Sequence, residues 1–152
     1  MKHFEITHFP EIEKIINSVD VCNIAMVDGD KPYVLPFNFG YRDKIIYIHS
    51  GPGGRKTTVL KKNNNVCISF ERDGKLHFVS EGVACSYSMK FRSVIAEGKL
   101  QFIEDFDEKV EALNIIMKHY TKKEFEYSSP AVHGVCVMKI VIEKISGRKR
   151  GY

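Results

Sequence analysis

The run His49-Ser50-Gly51-Pro52-Gly53-Gly54-Arg55-Lys56-Thr57-Thr58 carries the clearest chemistry in the chain. An apolar strand-like segment ends, glycines free the backbone, two cations follow and a short helical pattern begins. Amide N–H groups at a helix start point at an anion, and an adjacent Arg and Lys neutralise a phosphate dianion through charge-assisted hydrogen bonds. The Gly-Lys-[Ser/Thr] ending of a nucleoside-triphosphate loop is missing, so this is not that loop. The same local pattern also suits a surface turn with a solvated Arg55-Lys56 pair.

Pro36 interrupts a second segment, residues 32–41, that otherwise reads as a good strand. A proline cannot donate to a ladder, so this strand is expected at a sheet edge or with a local irregularity. Either the irregularity exposes neighbouring backbone to a ligand, or the proline only blunts an edge against aggregation. In a third segment, residues 85–98, period-two alternation puts Ser93 on the face of Phe91 and Arg92 on the opposite face. The four cysteines, Cys22, Cys67, Cys85 and Cys136, lack any zinc-type spacing, so no metal site is expected. Cys22, Cys67 and Cys136 lie in apolar contexts where a reduced thiol acts as a small hydrophobe, whereas Cys85 lies in a polar, loop-like one. His3, His8, His77, His119 and His133 form no constellation.

The elements that must position these residues begin with a helix over residues 10–19, where Ile12, Ile15, Ile16 and Val19 share one face. Residues 22–27, 33–41 and 44–49 read as an antiparallel meander turned at Asp28-Gly29-Asp30 and near Arg42-Asp43. Residues 55–62 read as a short helix, and 66–71 and 76–80 as strands joined by a turn at Asp73-Gly74. Residues 90–103 read as a long strand in which Gly98 marks a bulge or bend. A helix follows over 105–120, with Phe106, Val110, Leu113, Met117 and Tyr120 on one stripe and Asp105 or Asp107 as cap. The last strand spans 135–145, and residues 147–150 form a short basic tail. Strands follow strands without helical crossovers, which disfavours a βαβ dinucleotide fold and predicts a mainly β, antiparallel barrel with flanking helices.

A chain of 152 residues, 43% hydrophobic and 28% charged, suits one soluble globular domain over its whole length. No apolar run reaches the roughly 20 residues of a membrane helix, and residues 1–10 have no apolar signal core, so the cytoplasm is the expected compartment. The formal charge of +4 is mild. Lys61-Lys62 and Arg148 to Arg150 show no interleaving with aromatics, so no nucleic-acid partner is expected.

Three segments, taken together, carry more than their local patterns. They are residues 25–41 (Ala-Met-Val-Asp-Gly-Asp-Lys-Pro-Tyr-Val-Leu-Pro-Phe-Asn-Phe-Gly-Tyr); Tyr47-Ile48-His49-Ser50 with Gly54-Arg55-Lys56; and Phe91-Arg92-Ser93-Val94-Ile95 with Gly98. In these, and in their order between about residues 24 and 120, the sequence resembles the FMN-binding split-barrel superfamily of pyridoxamine 5′-phosphate oxidase-related proteins, most closely its nitroimidazole-resistance (Nim-type) branch. The resemblance implies a six-stranded antiparallel split barrel of Greek-key type and a homodimer with FMN at the subunit interface. It implies that Arg55 and Lys56 hold the phosphate with help from Ser50, and that Pro36, Phe37 and Asn38 line the isoalloxazine. By the same resemblance His49 lies near the flavin as the one candidate catalytic side chain, and Ser93 reaches the cofactor from another strand, of the partner subunit. The activity implied is flavin-dependent reduction of a small, nitroaromatic-type acceptor; the alternative is a flavin- or haem-binding carrier or sensor without turnover. The chain has no Trp, and its C-terminus does not reproduce the Arg/Trp cluster of the vitamin B6 oxidases, which argues against that particular activity.

Overall fold

Period-two burial builds the strands of the computed structural model, which describes residues 2–152. In β2 (Cys22–Asp28) the buried Cys22, Ile24 and Met26 alternate with more open neighbours, and in β7 (Ser88–Ile103) Val94, Ala96, Gly98 and Leu100 do the same. Sliding either strand by one residue would turn this whole apolar set outward, which fixes the register. With β1 (His3–Ile6), β3 (Lys31–Phe37), β4 (Phe39–Arg42), β5 (Ile45–Ser50), β6 (Asn65–His77) and β8 (Cys136–Arg150) they form one antiparallel sheet in the order β3-β2-β6-β7-β8-β5-β4, with β1 on β8. No ladder joins the edge strands β3 and β4 among the described residues. The chain instead passes from β3 to β4 through Asn38 alone, so the two edges meet covalently at one corner.

This is a mainly β, antiparallel split barrel flanked by helices, as the sequence leads one to expect, although it has eight strands rather than six. Its interior is filled by Ile24, Met26, Phe39, Ile46, Ile48, Ile68, Phe70, Leu100, Met138 and Ile140, and is plugged by Ile12, Ile15 and Ile16 of α1 (Phe9–Ile16). A second apolar cluster lies on the other side of β5 and β8, where Tyr47 and Val137 meet Leu113 and Ile116 of α3 (Phe106–Tyr120) and Val132 of α4 (Ser129–His133). The strand β5 is therefore covered on both faces at its centre. Asp105 caps α3 by accepting a hydrogen bond from the Glu108 amide at 2.9 Å. Gly40 lets that helix lie directly on β4, because a Cβ there would come within 2.7 Å of the Ile115 backbone.

Several boundaries differ from the sequence reading. The first helix stops at Ile16, and residues 33–41 are broken at Asn38. Residues 66–71 and 76–80 belong largely to one strand ending at His77, because Asp73-Gly74 is a bulge between the pairs Arg72↔Arg92 and Lys75↔Lys90 rather than a turn. Asp73 takes the left-handed conformation there (φ 59°), which a short polar side chain tolerates in a bulge as readily as in a turn. The basic tail is a strand: Gly147 to Arg150 pairs with β1 on one side and β7 on the other. A Cβ on Gly147 would touch Ile6 and Ile12, a tertiary contact that a local reading of Gly-Arg-Lys-Arg does not contain. Gly98 does mark a bulge, and the extra residue, Glu143, lies on the facing strand. No helix among the described residues is long and apolar enough to cross a membrane.

Candidate functional site

The pairing of Phe39 with Ile48 sets Asn38 level with His49, one strand spacing of roughly 5 Å away. Phe39 and Ile48 are fully buried in the barrel, so alternation turns Asn38 and His49 to the opposite face, on the side of α3. At the end of that helix, the Tyr120 hydroxyl accepts from the Phe39 amide at 2.9 Å and from Asn38 Nδ2 at 3.3 Å, and donates to the Asp20 carbonyl at 2.7 Å. The preceding His119 packs against Phe39 with the rings tilted and their centres 4.4 Å apart, and its Nε2 lies 2.7 Å from the Val19 carbonyl, to which it donates. The corner that joins the two sheet edges is thus held from outside by one helix end.

From β5 the chain enters the glycine loop and then α2 (Arg55–Lys62). Gly53 and Gly54 have φ of +81° and +83°, and with ψ 179° Gly54 occupies a conformation essentially reserved for glycine. Gly54 is the N-cap, so no side chain satisfies the first amides of the helix, and no acidic residue stands in its first turn. A Cβ on Gly51, Gly53 or Gly54 would meet nothing within 4 Å, so the space beside the loop is open. Arg55 donates through Nε and Nη2 to Asp28 at 2.9 and 2.8 Å, and its guanidinium lies 4.1 Å over the Tyr33 ring. Lys56 Nζ reaches back to the carbonyls of Gly51 and Gly53 at 3.5 and 3.4 Å, and Ser50 Oγ donates to the Gly51 carbonyl at 3.1 Å. These contacts are exposed, and a surface ion pair contributes only about 0–1 kcal/mol, so a dianion can recruit both cations. The loop therefore has the open cradle, amide donors and paired cations that a terminal phosphate requires.

The remaining candidates fall into two groups. Pro36 is exposed on the edge strand β3 as expected, while the Phe37 side chain is 8% exposed and packs into the barrel core, so only its backbone faces outward. Ser93 lies on β7 in a cavity of about 530 Å³ with Glu71, Met89 and Phe91. It pairs with Arg148, whereas His49 pairs with Val137 on the same β8. At 3.3 Å per residue those two positions on β8 are separated by up to roughly 36 Å. One copy of the chain thus brings together Pro36, Asn38, His49, Ser50 and the loop, while Ser93 lies far along the sheet from His49 and next to the row that joins Pro36, Asn23, Ser69 and Ile95 across β3, β2, β6 and β7.

Ser50 also pairs with Cys136, whose thiol is pushed up by burial. All four cysteines are free; burial pushes the Cys22 thiol up to about 12, and Cys85 alone is exposed. No group of three or more His, Cys, Asp or Glu among the described residues is placed to hold a metal ion. Asp28, Tyr33 and Tyr120 are neighbours of the site that the sequence did not single out. Tyr120 reads there as one more member of an apolar stripe, and its polar tip was the available signal.

This fold belongs to a recognisable class. The family described as pyridoxamine 5′-phosphate oxidase matches residues 10–149, and the chain belongs to that family. Among solved structures it is similar to a candidate 5-nitroimidazole antibiotic resistance protein from Bacteroides thetaiotaomicron, with 45% identity and a TM-score of 0.88 over 97% of this chain and 87% of that one. It is also similar to a candidate pyridoxamine 5′-phosphate oxidase from Listeria innocua (25% identity, TM-score 0.60, 90% and 94% covered). An FAD-binding protein from Mesorhizobium loti shares the fold at 22% identity, with a TM-score of 0.74 and 99% and 100% covered. No curated protein sequence matches.

Proposed function

We propose that this chain is a flavoprotein that holds FMN between two copies of itself and reduces a small acceptor of the nitroaromatic class. The observation that carries the reading is the open Gly51–Gly54 cradle with Arg55 and Lys56 at its exit, in a chain 45% identical to a candidate nitroimidazole-resistance protein. Arg55, Lys56 and Ser50 hold the phosphate, and Pro36, the backbone of Phe37 and Asn38 line the ring. From Tyr33, beneath Arg55, to Asn38 the chain spans roughly 16 Å, which suits an elongated ligand with its phosphate at one end. Ser93 completes the site from the second copy, which fits its separation along β8 from His49. FMN is the flavin proposed because the open cradle at the start of α2 suits a terminal phosphate.

When bound, the flavin supplies the two-electron chemistry, and the protein supplies position and electrostatics. His49 stands level with Asn38 on the same face and delivers a proton to the acceptor as it is reduced. The other reading is a flavin or haem carrier without turnover, favoured by the lack of any acid–base set at the corner beyond His49. Steady-state oxidation of NADH or NADPH by the FMN-loaded protein with a nitroimidazole acceptor separates the two. Turnover is expected, with kcat lowered about 10²-fold or more in His49→Ala. A loaded protein that oxidises no nicotinamide in the presence of the acceptor leaves only the carrier.

A further inference from the structure

Hydrogen-bond capacity at the Tyr120 hydroxyl fixes which end of the Asn38 carboxamide faces outward. A phenolic O–H has one proton, and here the Asp20 carbonyl, which can only accept, takes it at 2.7 Å. Toward its other two partners the oxygen can only accept, and it does so from the Phe39 amide at 2.9 Å and from Asn38 at 3.3 Å. The end of the carboxamide turned to Tyr120 must therefore be the NH2. Its carbonyl, Oδ1, points away from Tyr120 and has no protein donor among the described residues. Asn38 is exposed at the corner, beside His49, so this bare acceptor is presented to whatever occupies the site.

We propose that Tyr120 is a positioning residue that locks Asn38 as a hydrogen-bond acceptor and so selects a ring edge offering an N–H donor. This rests on the flavin reading above. The oxidised isoalloxazine carries a single N–H, at N3, between two carbonyls, so N3–H is the group that Asn38 Oδ1 receives. With the amide reversed, Asn38 would offer a donor to that N–H and weaken binding. Nothing about the overall fold of the site makes this distinction; it comes from one hydroxyl 82 residues away in sequence.

The test compares the dissociation constants of FMN and of 3-methyl-FMN, followed by quenching of flavin fluorescence. The wild-type protein is expected to bind FMN about tenfold more tightly, the usual worth of one well-placed hydrogen bond. Tyr120→Phe and Asn38→Ala are each expected to lose most of that preference. Asn38→Ala leaves the Tyr120 contacts to Asp20 and Phe39 intact, so its result stands even if Tyr120→Phe folds poorly. Aspartate offers an acceptor oxygen whichever way it turns, so the double variant Tyr120→Phe/Asn38→Asp is expected to recover the preference that Tyr120→Phe loses. Equal binding of the two flavins by the wild type, or an undiminished preference in Tyr120→Phe, overturns the proposal while leaving the flavin reading in place. Failure of the wild type to bind either flavin overturns both.

Discussion

Arg55 and Lys56 rest in contacts that a phosphate can displace: Asp28 and Tyr33 hold one, two loop carbonyls the other. Each charge-assisted hydrogen bond to a phosphate is worth about 1.5–3 kcal/mol, well above an exposed pair. Replacing both residues by alanine is therefore expected to weaken FMN binding by more than about 100-fold in a fluorescence titration, with little change in melting temperature. A variant that binds as tightly as the wild type would remove these two residues from the site. The two cations were legible in the sequence because their chemistry is local, with glycines, cations and a helix start within a few residues. Tyr120 was not, because its three hydrogen bonds reach partners 81 to 100 residues away. At Phe37 period-two alternation points the side chain into the core, so a ligand contact at this motif position falls to its backbone.

Gly40 on β4 and α3 meet backbone to backbone, and no side chain can yield there to admit a methyl group. Gly40→Ala is expected to destabilise the fold by at least about 1–3 kcal/mol, read as a lower midpoint in denaturant, because it pushes the helix off the strand. That shift would also disturb Asn38 and His49, since α3 carries Tyr120. Asp73 in the β6 bulge joins Arg72, Arg92 and the C-terminus, where the Tyr152 hydroxyl donates to the Asp73 carbonyl at 2.8 Å. Partial burial works against its charge, but the Arg92 and Arg72 guanidiniums hold the Asp73 carboxyl below the usual carboxylate range. Lys149, hydrogen-bonded at 2.8 Å, does the same for Glu11. Both native values are depressed, so this stabilisation is present above the unfolded carboxylate range of about pH 4 and is lost as pH falls through the lower native values. Glu11→Gln/Asp73→Asn is expected to be less stable at neutral pH and to show a flatter decline in melting temperature below about pH 4. A decline as steep as in the wild type would place the acid sensitivity elsewhere. The helices α2 and α3 and the bulge at Gly98 were readable from caps, periodicity and a lone glycine in a strand. The strand at Gly147–Arg150 was not, since its partners β1 and β7 lie at the other end of the chain and mid-chain.

The sheet has one face filled by the barrel core and another that β2, β3, β6 and β7 leave without a helix. Across that outer face run the paired rows Pro36, Asn23, Ser69, Ile95 and Val34, Ala25, Cys67, Glu97, mostly small or apolar residues, with Val34 59% and Ile95 39% exposed. It is the face that the proposed second copy of the chain would cover. The proposed occupant of this site is a phosphate-bearing flavin. The most direct test is a titration of the purified, folded protein with FMN, followed by flavin fluorescence and by the mass of the complex in solution. The expected result is saturable quenching at one FMN per chain, carried by a species of twice the chain mass and yellow after gel filtration. A folded protein that stays colourless and quenches no FMN fluorescence at any ratio would contradict it.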